Sequence, residues 1–148
     1  MFKLAGAKYA NEISGTDNDG IKMFHEYCSK NKLDSSRIKI TDASGVSKNN
    51  LVSADFVSEF LIKSKNNYAM QYLAKPGEGT LTHRMLQIKN NIKAKTGTLS
   101  DISSIAGYLT SKSGKNYAFC IITNDIKLSD SDKKMLEDYI IREAYLRL

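Results

Sequence analysis

The sequence is poor in several residue types that mark particular classes of protein. Its 148 residues include two cysteines, two histidines, one proline and no tryptophan. Cys28 and Cys120 lie far apart, and so few histidines leave no spacing typical of a metal site. Two cysteines do not make a disulfide framework either. We therefore expect buried thiols on a helix and a central strand, with a single disulfide between them as the alternative that the sequence leaves open, and we predict no metal and no cofactor.

Long apolar runs are also missing. No stretch approaches the ~20 apolar residues that a transmembrane helix needs. The first seven residues, Met-Phe-Lys-Leu-Ala-Gly-Ala, do not contain an apolar run of the length found in signal peptides. We therefore expect neither a membrane span nor a signal peptide in this chain.

Positive charge is in moderate excess, since 22 Lys and Arg face 16 Asp and Glu, for a net charge of +6. The lysines are scattered through predicted helices and loops and do not alternate with aromatic residues. This distribution argues against nucleic-acid binding. An anionic polymer such as a cell wall is as compatible with the charge as nucleic acid is, and we favour solvated surface lysines over both.

The length fits one domain with a real core, and we predict a single unit over residues 1–148. Apolar periodicity predicts the end of a helix at 2–10 and helices at about 20–30 and 53–65. Asp19 and Ser53 are the expected caps of the latter two. A last helix from about Ser131 has an expected apolar stripe formed by Leu136, Ile140 and Ala144, flanked by Met135 and Tyr139.

From Ile92 onward the apolar pattern becomes that of strands. We predict strands at 93–99, 103–110 and 116–123, joined as an antiparallel meander with a hairpin turn at 111–115. Residues 118–122 are apolar without alternation, which predicts a strand buried on both faces or covered by helices. The fold class is therefore α+β, with a C-terminal three-stranded antiparallel meander packed with helices.

One polar stretch in this region has the composition of a carboxylate-binding site. The run Lys95, Thr96, Gly97 and Thr98 combines a fixed positive charge with two hydroxyl groups. Gly97 has no side chain, so a ligand can approach the backbone closely. By itself such a tripeptide is a weak signal, because a glycine within a strand usually marks a bulge or bend.

A second stretch strengthens this interpretation. The polar loop at residues 42–49, Asp-Ala-Ser-Gly-Val-Ser-Lys-Asn, contains Ser47 and Asn49 two positions apart. Serine, asparagine and lysine together are the polar half of an acyl-transfer site. The triplet Ser-Lys-Asn also occurs at Ser29 and Ser64, but without the preceding Ser-Gly context, whereas Lys-Thr-Gly occurs once.

Together these stretches resemble class C penicillin-binding proteins, the D-alanyl-D-alanine carboxypeptidases and endopeptidases. Enzymes of this kind carry Ser-x-x-Lys, Ser-x-Asn and Lys-Thr-Gly in that order. Residues 42–49 resemble the family stretch Asp-Gly-Ser-Gly-Leu-Ser-x-Asn, with Ala43 in place of a glycine. The turn Gly-Thr-Leu at 79–81 and the segment Ala-Gly-Tyr at 106–108 extend the resemblance over nearly the whole chain. It implies part of the penicillin-binding, β-lactamase-like transpeptidase fold.

The resemblance also implies roles for the site residues. Ser47 is expected to relay a proton to the leaving amine, and Asn49 to hold the amide of the substrate. Lys95 is expected to supply positive charge and, with Thr96 and Thr98, to hold the terminal carboxylate, while the amide of Thr98 donates to the oxyanion. The implied ligands are peptidoglycan stem peptides or β-lactams, and the implied location of the parent protein is the periplasm or cell envelope.

The nucleophilic Ser-x-x-Lys element has no good candidate in the chain. The spacing occurs at Ser29, Ser36 and Ser131, but the family places this element far upstream of Ser-x-Asn, at the start of a buried helix. We therefore expect this chain to be the C-terminal part of a longer serine-type D-Ala-D-Ala carboxypeptidase, inactive alone, whose N-terminal part is a partner.

The resemblance has a structural consequence and leaves alternatives open. In the family fold, strands from the N-terminal part pair beside the last strand, so the strand at 116–123 is expected to present an open edge through which two copies pair. The main alternative function is a non-catalytic wall-binding or scaffold module with a carboxylate pocket, and another is a serine β-lactamase-like fold. The sequence does not separate carboxypeptidase from endopeptidase preference.

Overall fold

A computed structural model describes residues 17–41, 47 and 49–148 of the chain. These residues belong to two compact units, Met1–Phe56 and Val57–Leu148. The single unit expected over 1–148 remains a prediction. The helix expected at residues 2–10 lies outside the described residues.

The first unit is built on helix α1, Asp17–Lys30. Phe24 and Cys28 are buried side chains of this helix, and the burial of Cys28 is as predicted. The ring of Phe24 lies 6.3 Å from that of Phe56, and the guanidinium of Arg37 lies 5.6 Å from the centre of the Phe56 ring. The cap expected at Asp19 is wrong, because the helix begins two residues earlier and Asp19 lies within it.

A short hairpin and a second helix follow. Strands β1, Ile38–Lys39, and β2, Leu51–Val52, pair antiparallel. Helix α2 covers Ala54–Ser64, and the hydroxyl of Ser53 accepts a hydrogen bond of 3.0 Å from the amide of Phe56. This confirms Ser53 as the residue that caps the helix. Short 3-10 turns lie at Ser35–Arg37, Tyr68–Tyr72, Gly79–Leu81 and Leu86–Ile88.

The second unit contains the predicted antiparallel meander. Its strands are β3, Ile92–Leu99, β4, Ile102–Thr110, and β5, Asn116–Asn124, in the order β3-β4-β5. Along β4, buried and half-buried residues alternate strictly, so one face of this strand lies on the core. The core cluster combines the segment before the sheet, strands β3 and β4, and one residue of the C-terminal helix. Its buried members are Leu81, Met85, Ile88, Ile92, Ala94, Ile105, Leu109 and Ile141.

The last strand is less buried than the sequence predicts. Residues 117–122 of β5 are half-buried, and within the described part of the chain β5 pairs only with β4. The prediction of a strand buried on both faces is therefore wrong for these residues: Phe119 and Ile121 pack against the core cluster but stay half-buried, and so do their neighbours on the other face. Among the described residues, no helix combines the length and apolarity needed to cross a membrane.

Helix α3, Asp130–Arg147, packs against β4, but through a different face from the one predicted. Leu136 and Ile140 are 37% and 41% exposed, whereas Glu137 is fully buried. The buried side chains of the helix are Lys133, Glu137 and Ile141. The predicted apolar stripe is therefore wrong for Leu136 and Ile140, whereas its third member, Ala144, packs against the core. The ionic and hydrogen-bonded partners of Glu137 favour the face that turns inward.

Candidate active site

Ser47 and Asn49 lie in the loop that joins β1 to β2 in the first unit. The hydroxyl of Ser47, a half-buried residue, accepts a hydrogen bond of 3.1 Å from the amide of Asn49. Thr41 contacts the same segment: its hydroxyl donates to the carbonyl of Asn49 at 3.1 Å and its amide donates to the side chain of Asn50 at 2.7 Å. The local fold therefore joins Ser47 and Asn49 in one tight turn, with Asn49 exposed.

The Lys-Thr-Gly run lies on β3, in the second unit, on an edge of the sheet. The outer edge of β3 is partly covered, because the amide of Ala94 donates to the carbonyl of Ala74 at 2.8 Å. From Lys95 onward, no described strand other than β4 pairs with β3. An extended peptide can therefore add to the sheet along residues 95–98 through backbone hydrogen bonds.

A hydrogen bond orients the middle of this run. The hydroxyl of Thr96 donates to the hydroxyl of Thr80 at 2.7 Å. Thr80 lies in the 3-10 turn Gly79–Leu81, whose Leu81 is fully buried in the core. The side chain of Thr96 is therefore held by a turn anchored in the core, while Lys95, Gly97 and Thr98 are exposed.

Arg84, three residues after this turn, links the segment to helix α3 through a cluster of charged side chains. Arg84 donates to Glu137 at 2.8 Å and to Asp138 at 2.6 Å, and the hydroxyl of Ser103 donates to Glu137 at 2.6 Å. Burial disfavours the charged guanidinium, but the hydrogen bonds and charges of Asp138 and Glu137 outweigh burial and raise the pKa of Arg84. Arg84 therefore stays charged, and the segment that carries Thr80 is fixed to the helix.

Gly97 lies close to the side chain of Ser104 on the neighbouring strand β4. A Cβ atom built on it would lie 2.8 Å from the hydroxyl oxygen of Ser104, which is shorter than side-chain contacts allow. Any larger residue at this position would displace Ser104 or the strand. The absence of a side chain therefore leaves room for Ser104 on β4 and leaves the exposed backbone of Gly97 accessible.

The cysteines do not provide an alternative nucleophile. Both are free thiols, and burial raises the pKa of Cys28 above its usual range and that of Cys120 to about 11. A nucleophilic cysteine needs the opposite shift, because only the thiolate reacts. Among the described residues, no group of three or more His, Cys, Asp or Glu side chains is placed to hold a metal ion.

The sequence singles out the run 95–98 as a candidate site, which stays a prediction, but it does not indicate the contacts that support this run. The sequence of the turn Gly79-Thr80-Leu81 resembles the family, but it does not indicate that the Thr80 hydroxyl accepts a hydrogen bond from Thr96. Arg84 carried no signal at all. An arginine three residues after a buried leucine is ordinary, and its carboxylate partners lie more than 50 residues away in the sequence.

Comparison with known proteins identifies the family. The family model described as "D-Ala-D-Ala carboxypeptidase 3 (S13) family" matches residues 1–144. The chain belongs to this family. One relative, the D-alanyl-D-alanine carboxypeptidase of Actinomadura sp. (strain R39), is 32% identical over 136 residues, which are 84% of this chain and 25% of the relative. Another, the carboxypeptidase DacB of Mycolicibacterium smegmatis, is 29% identical over 108 residues, 63% of this chain and 23% of the relative.

Solved structures support the predicted fold of this carboxypeptidase-family chain. Penicillin binding protein 4 (dacB) of Haemophilus influenzae superposes with a TM-score of 0.78 at 22% identity, over 97% of this chain and 35% of that protein. An extended-spectrum β-lactamase, TLA-1, superposes with a TM-score of 0.70 at 16% identity, over 95% of this chain and 57% of that protein. The α+β fold is therefore a partial transpeptidase fold. The chain spans about a quarter of the length of the curated relatives that it matches.

Proposed function

We propose that this chain supplies the Ser-x-Asn and Lys-Thr-Gly elements of a serine-type D-Ala-D-Ala carboxypeptidase that acts on peptidoglycan stem peptides in the cell envelope. Membership of the carboxypeptidase family supports the reaction class. The observation that carries the proposal for this chain is the section of the edge strand at 95–98 that pairs with no described strand on its outer side, with Thr96 held by Thr80. Such a strand suits an extended peptide that ends in a carboxylate.

The proposed roles follow the motifs residue by residue. Ser47 relays a proton to the leaving amine, and Asn49 holds the amide of the substrate. Lys95 provides positive charge, and the hydroxyl groups of Thr96 and Thr98 bind the terminal carboxylate. The amide of Thr98 donates to the oxyanion, and Gly97 allows the peptide to approach the strand.

We further propose that the nucleophilic serine belongs to a part of the enzyme outside this chain. Two of the three serines with Ser-x-x-Lys spacing use their hydroxyl groups locally. Ser29 donates to the carbonyl of His25 at 3.0 Å, and Ser36 donates to the carboxylate of Asp34 at 2.6 Å. Ser131 lies in the first turn of α3, downstream of Lys-Thr-Gly, which is the reverse of the family order.

The experiment is a comparison of two proteins by intact mass after exposure to labelled penicillin. We expect no covalent adduct on this chain alone, and a stoichiometric adduct on a parent polypeptide that carries Ser-x-x-Lys upstream. In the parent, Lys95→Met is expected to slow acylation by about 10²-fold or more, since it removes a charge that acts on the reacting centre. Lys127→Met, on an exposed lysine outside the motif, is the control. A stoichiometric adduct on this chain alone would refute the proposal.

The second candidate is a non-catalytic wall-binding module that uses the same residues as a carboxylate pocket. The exposed position of Lys95 and Thr98 is compatible with it. It predicts that this chain alone binds a peptide ending in D-Ala-D-Ala saturably, and that Lys95→Met but not Lys127→Met abolishes the binding. It also predicts that no penicillin adduct forms on the parent polypeptide.

We also propose that two copies of this chain pair through the outer edge of β5. Residues 117–122 are half-buried and largely apolar, and no described strand pairs with that edge. An open apolar edge strand is a site where a second chain can add to the sheet. The N-terminal part of the enzyme is the competing partner for the same edge.

A further inference from the structure

The second unit contains a cleft that the proposed function does not use. Its volume is about 630 Å³, which lies within the ~300–1,000 Å³ typical of small-molecule sites. The end of α2, the segment before β3 and the adjoining ends of β4 and β5 form its walls. Four asparagines and four lysines are among the lining residues, and the lysines are Lys65, Lys75, Lys89 and Lys93.

The positive charge of this lysine cleft is largely unpaired, although the carboxylate of Glu78 accepts a hydrogen bond of 3.4 Å from the backbone amide of Lys75. Among the described residues, no Asp or Glu lines it. Within the same part of the chain, none of the four lysines forms an ion pair with a carboxylate. Lysines that share one cleft repel each other, and together they raise the local concentration of anions. The cleft therefore attracts anions.

One of these ammonium groups is held in place. Lys93 is half-buried, and its Nζ lies 5.3 Å from the centre of the Tyr108 ring. Tyr108 is itself fixed, because its hydroxyl donates to the carbonyl of Leu61 at 2.7 Å. A cation over an aromatic face loses much of the freedom of an ordinary surface lysine. The cleft therefore has a partly preorganised charge, which reduces the cost of binding an anion.

We propose that the lysine cleft binds a multivalent anion, a ligand that carries two or more phosphate or carboxylate groups. The cleft is much larger than a single oxyanion, and its lysines come from three separate segments of the chain. A ligand that carries several charges at a distance from each other can therefore contact more of these lysines than a single oxyanion can. Asparagine amides provide neutral donors between the charges. Phosphate-linked and carboxylate-rich polymers of a cell wall share this chemistry.

The cleft adjoins the Lys-Thr-Gly strand but is distinct from it. Lys93 and Lys95 are two positions apart on β3, so they point to the same face of the sheet about 7 Å apart along the strand. Lys95 does not line the cleft. A polymer bound in the cleft therefore lies beside the strand to which the stem peptide is proposed to add.

The test is calorimetric titration of this chain at low ionic strength with three probes: inorganic phosphate, tripolyphosphate and citrate. We expect saturable binding of tripolyphosphate at a stoichiometry of one, and binding of inorganic phosphate at least tenfold weaker. The double variant Lys89→Gln/Lys93→Gln is expected to weaken tripolyphosphate binding about tenfold or more, because it removes two of the four charges. The matched control Lys112→Gln/Lys127→Gln removes the same charge at exposed positions outside the cleft and is expected to bind within about twofold of the unchanged chain.

The outcomes separate the possibilities. Tripolyphosphate binding much tighter than citrate binding supports a phosphate-linked polymer, and equal binding supports a carboxylate-rich one. Equal losses in the cleft and control variants, or no saturable binding, would overturn the proposal. If Lys93→Gln disturbs folding in a thermal scan, Lys65→Gln/Lys89→Gln provides the same comparison with the Tyr108 contact intact. The assay needs no nucleophile, so its failure leaves the proposed acyl-transfer function untouched.

Discussion

At the residue scale, Gly107 of β4 is the described glycine with the least room for a side chain. A Cβ atom built there would lie 2.1 Å from the carbonyl oxygen of Lys93 and 2.7 Å from the Cα of Ala94. Both are backbone atoms, which cannot rotate away. The spacing between β3 and β4, and with it the position of the Lys-Thr-Gly strand, therefore depends on this glycine.

Gly107→Ala is expected to destabilise the second unit by about 3 kcal/mol, because two strands must separate to admit a methyl group. The measurement is the free energy of unfolding in urea. Gly20→Ala is the control, since it sits in helix α1 and a Cβ atom added there would meet nothing within 4 Å beyond its own helix and chain neighbours. That variant is expected to be neutral or slightly stabilising. Equal stability of the two variants would contradict the close approach.

Arg84 and Glu137 form the second feature at this scale. The side chain of Glu137 is fully buried and that of Arg84 is 11% exposed. A buried ion pair contributes little net stability compared with apolar residues, but removing one partner leaves an uncompensated charge. The pair therefore affects stability chiefly when one of its partners is removed.

We expect Arg84→Met to lower the free energy of unfolding by about 3–5 kcal/mol. The double variant Arg84→Met/Glu137→Met is expected to recover part of that loss, because neither of these two charges is then left buried, while Ser103 and Asp138 each lose a partner. Urea titration of the single variants and the double variant provides the coupling energy. Additive losses without recovery in the double variant would show that the two side chains are not coupled.

At the scale of elements, helix α3 is defined at its start by a side-chain cap. The hydroxyl of Ser129 accepts a hydrogen bond of 3.1 Å from the amide of Asp132 and donates one of 2.6 Å to its carboxylate. Asp130 and Asp132 add negative charge to the first turn, which the helix dipole favours. The helix therefore begins at a fixed residue.

Ser129→Ala is expected to lower the free energy of unfolding by about 1 kcal/mol, through the loss of this cap. Ser131→Ala, two positions later in the same exposed turn, provides the matched control, with an expected change within about 0.5 kcal/mol. Urea unfolding followed by circular dichroism measures both. The capping role is excluded if Ser131→Ala costs as much as Ser129→Ala.

At the scale of the whole molecule, the outer edge of β5 decides the proposed association of two copies. Light scattering is expected to show a concentration-dependent dimer. Ile122→Lys introduces a charge into the edge strand and is expected to shift the chain to monomer, because edge lysines block strand addition. Met135→Lys, on the exposed face of α3, is expected to leave the dimer intact. A monomer at every concentration would count against pairing through this edge.

Much of the fold could be predicted because it is encoded by local patterns. The alternation along β4, the turn between β4 and β5 and the capping Ser53 each depend on neighbours within a few residues. The motif residues were likewise recognisable, since Lys-Thr-Gly and Ser-x-Asn are contiguous. Their catalytic roles remain predictions.

The sequence by itself determined the antiparallel meander, the family and the identity of the candidate site residues. Only the tertiary structure decided which face of α3 is buried, how Thr96 is held and that four lysines share a cleft. The physical reason is that these features depend on partners distant in sequence. Glu137 turns inward because Arg84 and Ser103 meet it there. Without those partners, the apolar residues Leu136 and Ile140 would be the expected buried face.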